Sequence, residues 1–272
     1  MRDTVPDHLL SDPDRLIPTI AEALGRGGGF SYVTSAGEVA TASAVLFLLG
    51  RCRGRDADEV CLILNKRSRR VRQPGDLCCP GGSVARFDFR AARLLKLPFG
   101  ALGRWPYRRA WRRERPVEAR WLALHLATAL REAYEEMRLN PLRVRFLGPL
   151  PPARLQMFSR VIYPLAAWLP QPGRFRPNWE VERIVEIPLR SLLDPAGYVC
   201  YRIARAAGDD SHAVRHLPAF RAPGPGADIL WGATFRITMD FLKIVFNFGP
   251  PPIDSLPVVA GELARDYLTG ES

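Results

Sequence analysis

Residues 121–139 read WLALHLATALREAYEEMRL, and the rest of the chain is best understood outward from them. Leu126, Leu130, Ala133 and Met137 recur at i, i+4, i+7 and i+11, which aligns them as one stripe of an α-helix. On the same helix Glu132, Glu135 and Glu136 stand at i, i+3 and i+4. At about 100° per residue the three carboxylates fall within one arc of roughly 100°, with the apolar stripe centred about 120° from Glu132. One face therefore packs and another gathers negative charge, until Asn140-Pro141 ends the helix. Three carboxylates this close repel unless water or a cation screens them, and hard divalent cations such as Mg²⁺ take oxygen ligands offered in this way. A Glu-rich helix face is ordinarily just a solvated surface. Here Arg131 precedes the first Glu, and a Pro80-Gly81-Gly82 loop upstream can bring backbone groups close to a metal or a phosphate.

Around that helix, residues 42–49 and 60–68 read as two strands joined by the polar turn RCRGRDADE, which predicts a hairpin. QPGDLCCPGGSV, residues 73–84, reads as a short strand feeding the glycine loop. Downstream, RVRFLGPL, RVIYPLAAWLP and VERIVEIPL read as strands between Pro-rich loops, and residues 227–248 as a strand end followed by a long helix. Residues 13–25 form a short amphipathic helix with a Gly-rich stop at residues 25–29. Strands on both sides of a central helix predict a mixed α/β fold in layers. The expected division is an N-terminal helical extension over residues 1–39, a main domain over 40–250 and a tail over 251–272.

The 272 residues are 47% hydrophobic, 10% aromatic and 25% charged, enough apolar content for a substantial core and unlike a disordered, collagen-like or disulfide-scaffold chain. The longest strongly apolar stretch, residues 44–49, is far shorter than the ~20 residues of a spanning helix. MRDTVPDHLLSDPDR carries acids where a signal peptide has an apolar core, so a cytoplasmic protein is expected. The five cysteines, at 52, 61, 78, 79 and 200, contain no CxxC pair and no zinc-finger spacing, so buried thiols are expected rather than disulfides or a zinc site. His125 and His216 have no nucleophile or ligand pattern near them and read as structural.

Charge is less evenly spread. The formal net charge is +11, and residues 89–120 alone carry ten basic side chains against Glu114 and Glu118, which points this segment at an anionic partner. Pro98, Pro106 and Pro116 divide it into short pieces. Leu94, Leu95, Leu97 and Phe99 lead into Trp105, Tyr107 and Trp111 interleaved with arginines. That mixture fits a lid over the active site, an anionic membrane surface, a nucleic-acid contact or a packed appendage.

Gly82, Asp88 and then Arg131-Glu132-Ala133-Tyr134-Glu135-Glu136 followed by Leu139 resemble the Nudix signature, with the basic segment inserted between its acid and its Arg-Glu. Lys66-Arg67-Ser68, Cys79-Pro80-Gly81-Gly82, Thr128-Ala129-Leu130-Arg131-Glu132-Ala133, the 180–189 strand and Leu230-Trp231-Gly232-Ala233-Thr234 further resemble the coenzyme A diphosphatase branch of Nudix hydrolases. Departures are Arg138 in place of the signature's last glycine, where helix termination is the expected role, a shortened Gln73-Pro74-Gly75-Asp76 loop, and Cys79 in place of an aromatic residue.

The resemblance implies a Nudix-like α/β/α sandwich with a mixed β-sheet, a basic insertion inside the signature, and Mg²⁺- or Mn²⁺-dependent cleavage of a diphosphate linkage in coenzyme A or a related nucleoside diphosphate derivative. It implies metal ligation by Glu132, Glu135, Glu136 and the Gly81 carbonyl, with Glu135 also a candidate base. Arg131 orients the glutamates through its guanidinium fork, and Arg67, Arg72 and Gly82 hold the substrate. Glu180 is a weaker candidate for an additional acid near the metal. The other function class consistent with the residues is a Nudix-fold binding module whose basic arm contacts RNA or an anionic membrane.

Overall fold

The computed structural model describes the chain except for residues 1–6, 27–29, 33–41, 54–58, 155–160, 172, 206–214, 225–227, 264–266 and 268–272. Parts of the expected 25–29 stop and of the 51–59 turn lie outside the described residues.

Strand β1 (Ala42–Arg51) is the axis of the molecule. It pairs antiparallel with β2 (Val60–Arg67) through Leu48↔Ile63 to Arg51↔Val60, as the hairpin reading predicts. Next to the start of the same strand lies β4 (Gly81–Ser83), after the two-residue β3 (Leu77–Cys78). On its other side β1 runs parallel to β7 (Val161–Leu169), which is flanked by β5 (Arg145–Pro149) and the short β6 (Ala153–Arg154), while β8 (Val181–Pro188) pairs with β2. Parallel and antiparallel pairs thus share one eight-stranded sheet. A second sheet contains β9 (Tyr198–Arg205), β10 (Arg215–Arg221), β11 (Ile229–Leu230) and β12 (Val258–Leu263).

Burial on both faces explains why β1 is apolar along most of its length rather than alternating with polar residues. Phe47 and Leu49 face one core, shared with α2 (Pro13–Gly25) and α7 (Gly232–Phe246); Leu46 and Leu48 face another, shared with α5 (Pro116–Met137). The expected α/β/α layering is present. Helix α2, preceded by the short α1 (Asp7–Leu10), contributes Leu16, Ile17, Ile20 and Leu24 to the first core, and β12 pairs in parallel with β9, so residues on both sides of the expected 40–250 unit join its packing.

The helix expected from residue 121 begins at Pro116. Proline at the first position of a helix starts it rather than breaking it, because its missing N–H is one that no helical partner would take. At the other end Arg138 adopts φ 57° and ψ 33°, with its N–H donated to the Tyr134 carbonyl, so it terminates the helix as expected from the place of a glycine. Its guanidinium lies 5.1 Å from the Tyr134 ring centroid.

The cysteine reading needs correction. Cys52 and Cys61 form a disulfide with a Cα–Cα distance of 5.3 Å. The hairpin register sets Gly50 opposite Cys61, and the Cys52 N–H donates to the Glu59 carbonyl, bringing the two thiols to the same level. The spacing resembles no known motif; only the hairpin makes it a pair. Cys78, Cys79 and Cys200 remain thiols, and burial pushes Cys78 up to about 12.

Replacing Cys52 and Cys61 with Ser should cost about 2–3 kcal/mol, the loop-closure value for so short a loop, read by chemical denaturation with and without reductant. Arg138→Gly should raise the melting temperature by about 1–3 °C, because relief of the left-handed conformation outweighs the lost ring contact and the added freedom of the unfolded chain.

Candidate active site

Helix α5, the β4 edge and the turn before β8 meet at the C-terminal half of α5. Ala129, Leu130, Ala133 and Met137 are buried against the sheet, which holds the helix in one rotation and turns Glu132 and Glu136 toward Gly81-Gly82. Despite the long excursion between the loop and the helix, the Gly81 N–H donates to Glu136 Oε2 at 3.3 Å. The Glu132 carboxylate lies so close over Gly82 that a Cβ there would come within 2.2 Å of Oε1. Any side chain at 82 would therefore displace Glu132.

Arg131 organises the site. Its Nε donates to Asp88 Oδ1 at 2.8 Å, its Nη1 to Glu135 Oε2 at 2.9 Å, and its Nη2 to Glu132 Oε1 at 2.9 Å and to the Ser83 carbonyl at 3.0 Å. Asp88 is fully buried and also accepts from Thr128 Oγ1 and from the Ala85 N–H, both at 2.8 Å. Arg131 thus bonds directly to the carboxylates of Asp88, Glu132 and Glu135.

Glu136 is buried, and Asn65 Nδ2 donates to its Oε2 at 2.8 Å. Burial, followed by the charges of Glu132 and Glu180, pushes Glu136 up to about 8, against the opposing pull of the Gly81 N–H and Arg67. Glu132 is raised as well, first by burial, with Arg131 opposing and Glu135 and Glu180 adding to the rise. Glu180, half-buried just before β8, therefore belongs to the cluster, because its charge reaches both. The turn is docked there by the backbone: the Asn178 N–H donates to the Glu136 carbonyl at 2.8 Å. Glu135 lies at the outer edge, its side chain about half exposed.

Arg67 sits beside the cluster, but its Nε donates to the Arg72 carbonyl at 2.7 Å, bracing the 68–76 loop. Arg72 itself is exposed on that loop. The loop is fixed at Asp76, which accepts from Trp231 Nε1 at 3.1 Å and from the Tyr267 hydroxyl at 2.6 Å, and burial raises Asp76 to about 6 despite both bonds. His125 is structural: it is stacked on Tyr163, its Nδ1 lies 3.0 Å from the Tyr32 hydroxyl, and burial lowers it to about 3.

Asn65 and Asp76 are the site residues the sequence reading missed. Asn65 had one visible signal, a lone amide within the apolar run of β2. Its Oδ1 is buried without a hydrogen-bond partner.

The donor chemistry suits a hard divalent ion. The buried Glu136, the partly buried Glu132, the nearby Glu180 and the unpartnered Asn65 amide oxygen are all oxygen donors, and of these carboxylates only Glu132 is paired with a cation among the described residues, Arg131. Among the described residues no three His, Cys, Asp or Glu side chains already converge as a metal cage, because Arg131 holds Glu132 and Glu135, while Gly81 and Asn65 hold Glu136.

No protein-family model and no curated protein matches the chain. Among solved structures it is similar to RenU, a Nudix hydrolase from M. smegmatis, at 13% identity over 56% of this chain and 73% of that one, TM-score 0.35. It is also similar to a MutT/nudix family protein from Enterococcus faecalis (12% identity, 79% and 65% covered, TM-score 0.42) and to a C. elegans Ap4A hydrolase (15% identity, 54% and 80% covered, TM-score 0.33). The likeness is distant and partial, and the functional reading below is built on the side chains.

Because Glu136 is raised in the folded state, the native protein holds a proton that the unfolded chain releases between about pH 4.5 and 8, so this residue costs stability as pH rises through that window. Glu136→Gln should flatten that loss and raise the melting temperature at pH 8–9 relative to the parent, with little difference near pH 5, read by thermal melts across pH in a metal-free buffer.

Proposed function

We propose that this protein is a metal-dependent hydrolase of the Nudix type that cleaves a diphosphate linkage in a nucleoside diphosphate derivative. The observation that carries the reading is the close approach of Glu132 and Glu136 to Gly82 and Gly81, with Glu180 within electrostatic reach of both. A fold does not need to bury repelling carboxylates; a cation explains their cost.

In this reading Glu132 and Glu136 hold Mg²⁺ or Mn²⁺, with the Gly81 carbonyl and Glu135 as further ligands. A divalent ion bound there would neutralise the diphosphate and lower the pKa of an attacking water. Arg131 keeps Glu132 and Glu135 in fixed rotamers through two separate N–H donors. Glu135, the most exposed of the three, is the candidate to take the proton of the attacking water. Arg72, and Arg67 behind it, supply positive charge to the leaving phosphate. Trp179, exposed on the turn that carries Glu180, offers a ring on which a base can stack. Coenzyme A derivatives remain within this substrate class, as the 66–68, 79–82 and 128–133 motifs imply. A cytoplasmic setting requires that the Cys52–Cys61 bond withstand thiol exchange there.

With Mg²⁺ and a panel of acyl-coenzyme A, dinucleotide and nucleotide-sugar compounds, products identified by mass should be split at the diphosphate. Glu132→Gln and Glu136→Gln should each lower kcat by at least about a hundredfold. No turnover across the panel, or turnover indifferent to both substitutions, overturns the reading in favour of a binding module.

A further inference from the structure

The basic insertion divides into an inner and an outer side. Trp105 and Trp111, which sequence reading offered to bases or lipid, are both buried: Trp105 Nε1 donates to the Leu147 carbonyl at 3.0 Å and Trp111 Nε1 to the Gly25 carbonyl at 3.0 Å. Arg104 Nη2 donates to the Leu142 and Val144 carbonyls at 3.3 and 3.2 Å. With Asp88 paired to Arg131, the inner side of the arm is packed against the domain.

Its outer side is different. Helix α3 (Asp88–Leu94) buries Asp88 and Ala92, and Leu95 follows on that face, half-buried. Counting about 100° per residue from Asp88, that face spans roughly −20° to 40°, while Phe89, Arg93, Arg90 and Leu94 occupy roughly 100° to 240° in that order. All four are exposed. Phe87 precedes the helix and Leu97 and Phe99 follow it, so five of the ten large apolar side chains exposed among the described residues fall within residues 87–99. Arg86, Arg90 and Arg93 have no ion pair among the described residues. Lys96 is lowered by partial burial and then by Arg108, Arg120 and Arg93, which shows how tightly positive charge is gathered here.

We infer that the outer side of residues 86–99 is a docking surface for an anionic lipid membrane, with Phe87, Phe89, Leu94, Leu97 and Phe99 entering the headgroup boundary and Arg86, Arg90 and Arg93 pairing with lipid phosphates. Interleaved apolar and cationic side chains on one face are what such a boundary accommodates. A second copy of this chain meets the patch poorly, because a two-fold contact sets these arginines against themselves and the nearby acids are engaged: Asp88 is buried on Arg131, Glu114 pairs with Arg113 and Glu118 with Arg115. Single-stranded nucleic acid stacks on rings, which Phe87, Phe89 and Phe99 offer, but Trp105 and Trp111 are turned inward and the aliphatic Leu94 and Leu97 beside those phenylalanines suit acyl chains rather than bases. The patch begins three residues after Ser83, whose carbonyl Arg131 holds, so docking sets the carboxylate cluster beside the lipid surface.

The test is co-sedimentation of the full chain with phosphatidylcholine vesicles, with and without roughly one third phosphatidylserine. Binding is expected to the anionic vesicles, to weaken with salt, and to fall about tenfold in Phe89→Ser/Phe99→Ser and again in Arg90→Gln/Arg93→Gln. Circular dichroism and diphosphate turnover in vesicle-free solution should be unchanged in the Phe double variant, which separates this surface from the catalytic reading. Three results overturn the proposal: no binding to anionic vesicles, vesicle binding indifferent to both double variants, or loss in those variants of RNA binding or self-association with no vesicle binding in the parent.

Discussion

Arg131 is the point on which the structure turns. Its guanidinium bonds in one plane to a fully buried aspartate at the root of the insertion, to the carbonyl after the glycine loop and to two glutamates of its own helix. Asp88 without its cation would be a buried charge with only Thr128 and one N–H to satisfy it. Joined through one planar fork, these partners become a rigid junction. The cost of closing a flexible loop rises only slowly with its length. A clamp at Asp88 and a helix that resumes at Pro116 therefore let the basic segment be inserted without moving Gly81 and Gly82 from the carboxylates.

That junction sits beside a region that works against stability. Burial and the charges of Glu135 and Glu180 raise Glu132, burial and the charges of Glu132 and Glu180 raise Glu136, and Asn65 leaves an amide oxygen unpaired within the core. Elsewhere the buried residues agree with the fold: β1 sends alternate apolar side chains to two cores, and α2, α5 and α7 fill them. Among the described residues His125 Nε2 is the other buried side-chain atom without a partner, and the concentration of such conflicts at the carboxylates is the pattern expected of a functional site. The same contrast holds on the surface, where half of the large apolar groups exposed among the described residues gather on one basic segment.

Much of this was readable from residue order. The period of Leu126, Leu130, Ala133 and Met137 fixed which face of α5 packs, and the remaining angle left Glu132 and Glu136 to face something else. Residues 42–49 read as a strand because apolar residues follow one another without glycine or proline, and residues 160–170 read so from their branched and aromatic residues despite Pro164. What could not be read depended on partners distant in the chain. Trp105 and Trp111 look like surface groups among arginines until the Leu147 and Gly25 carbonyls are seen to accept their N–H groups. Cys52 and Cys61 pair only through a strand register, and Asp76 matters only because Trp231 and Tyr267 reach it.

Local periodicity thus settled β1, β2, α2, α5 and α7, with the packing face of α5 and the grouping of its three glutamates, since each depends on side chains within a few turns of one another, whereas the strands of the second sheet were not read from it. Packing alone settled which of the insertion's aromatic residues turn inward, how the glycine loop meets Glu136 and Glu132, and where unpaired charge and apolar surface are left. Those outcomes depend on contacts between residues dozens of positions apart, whose geometry no window of sequence contains.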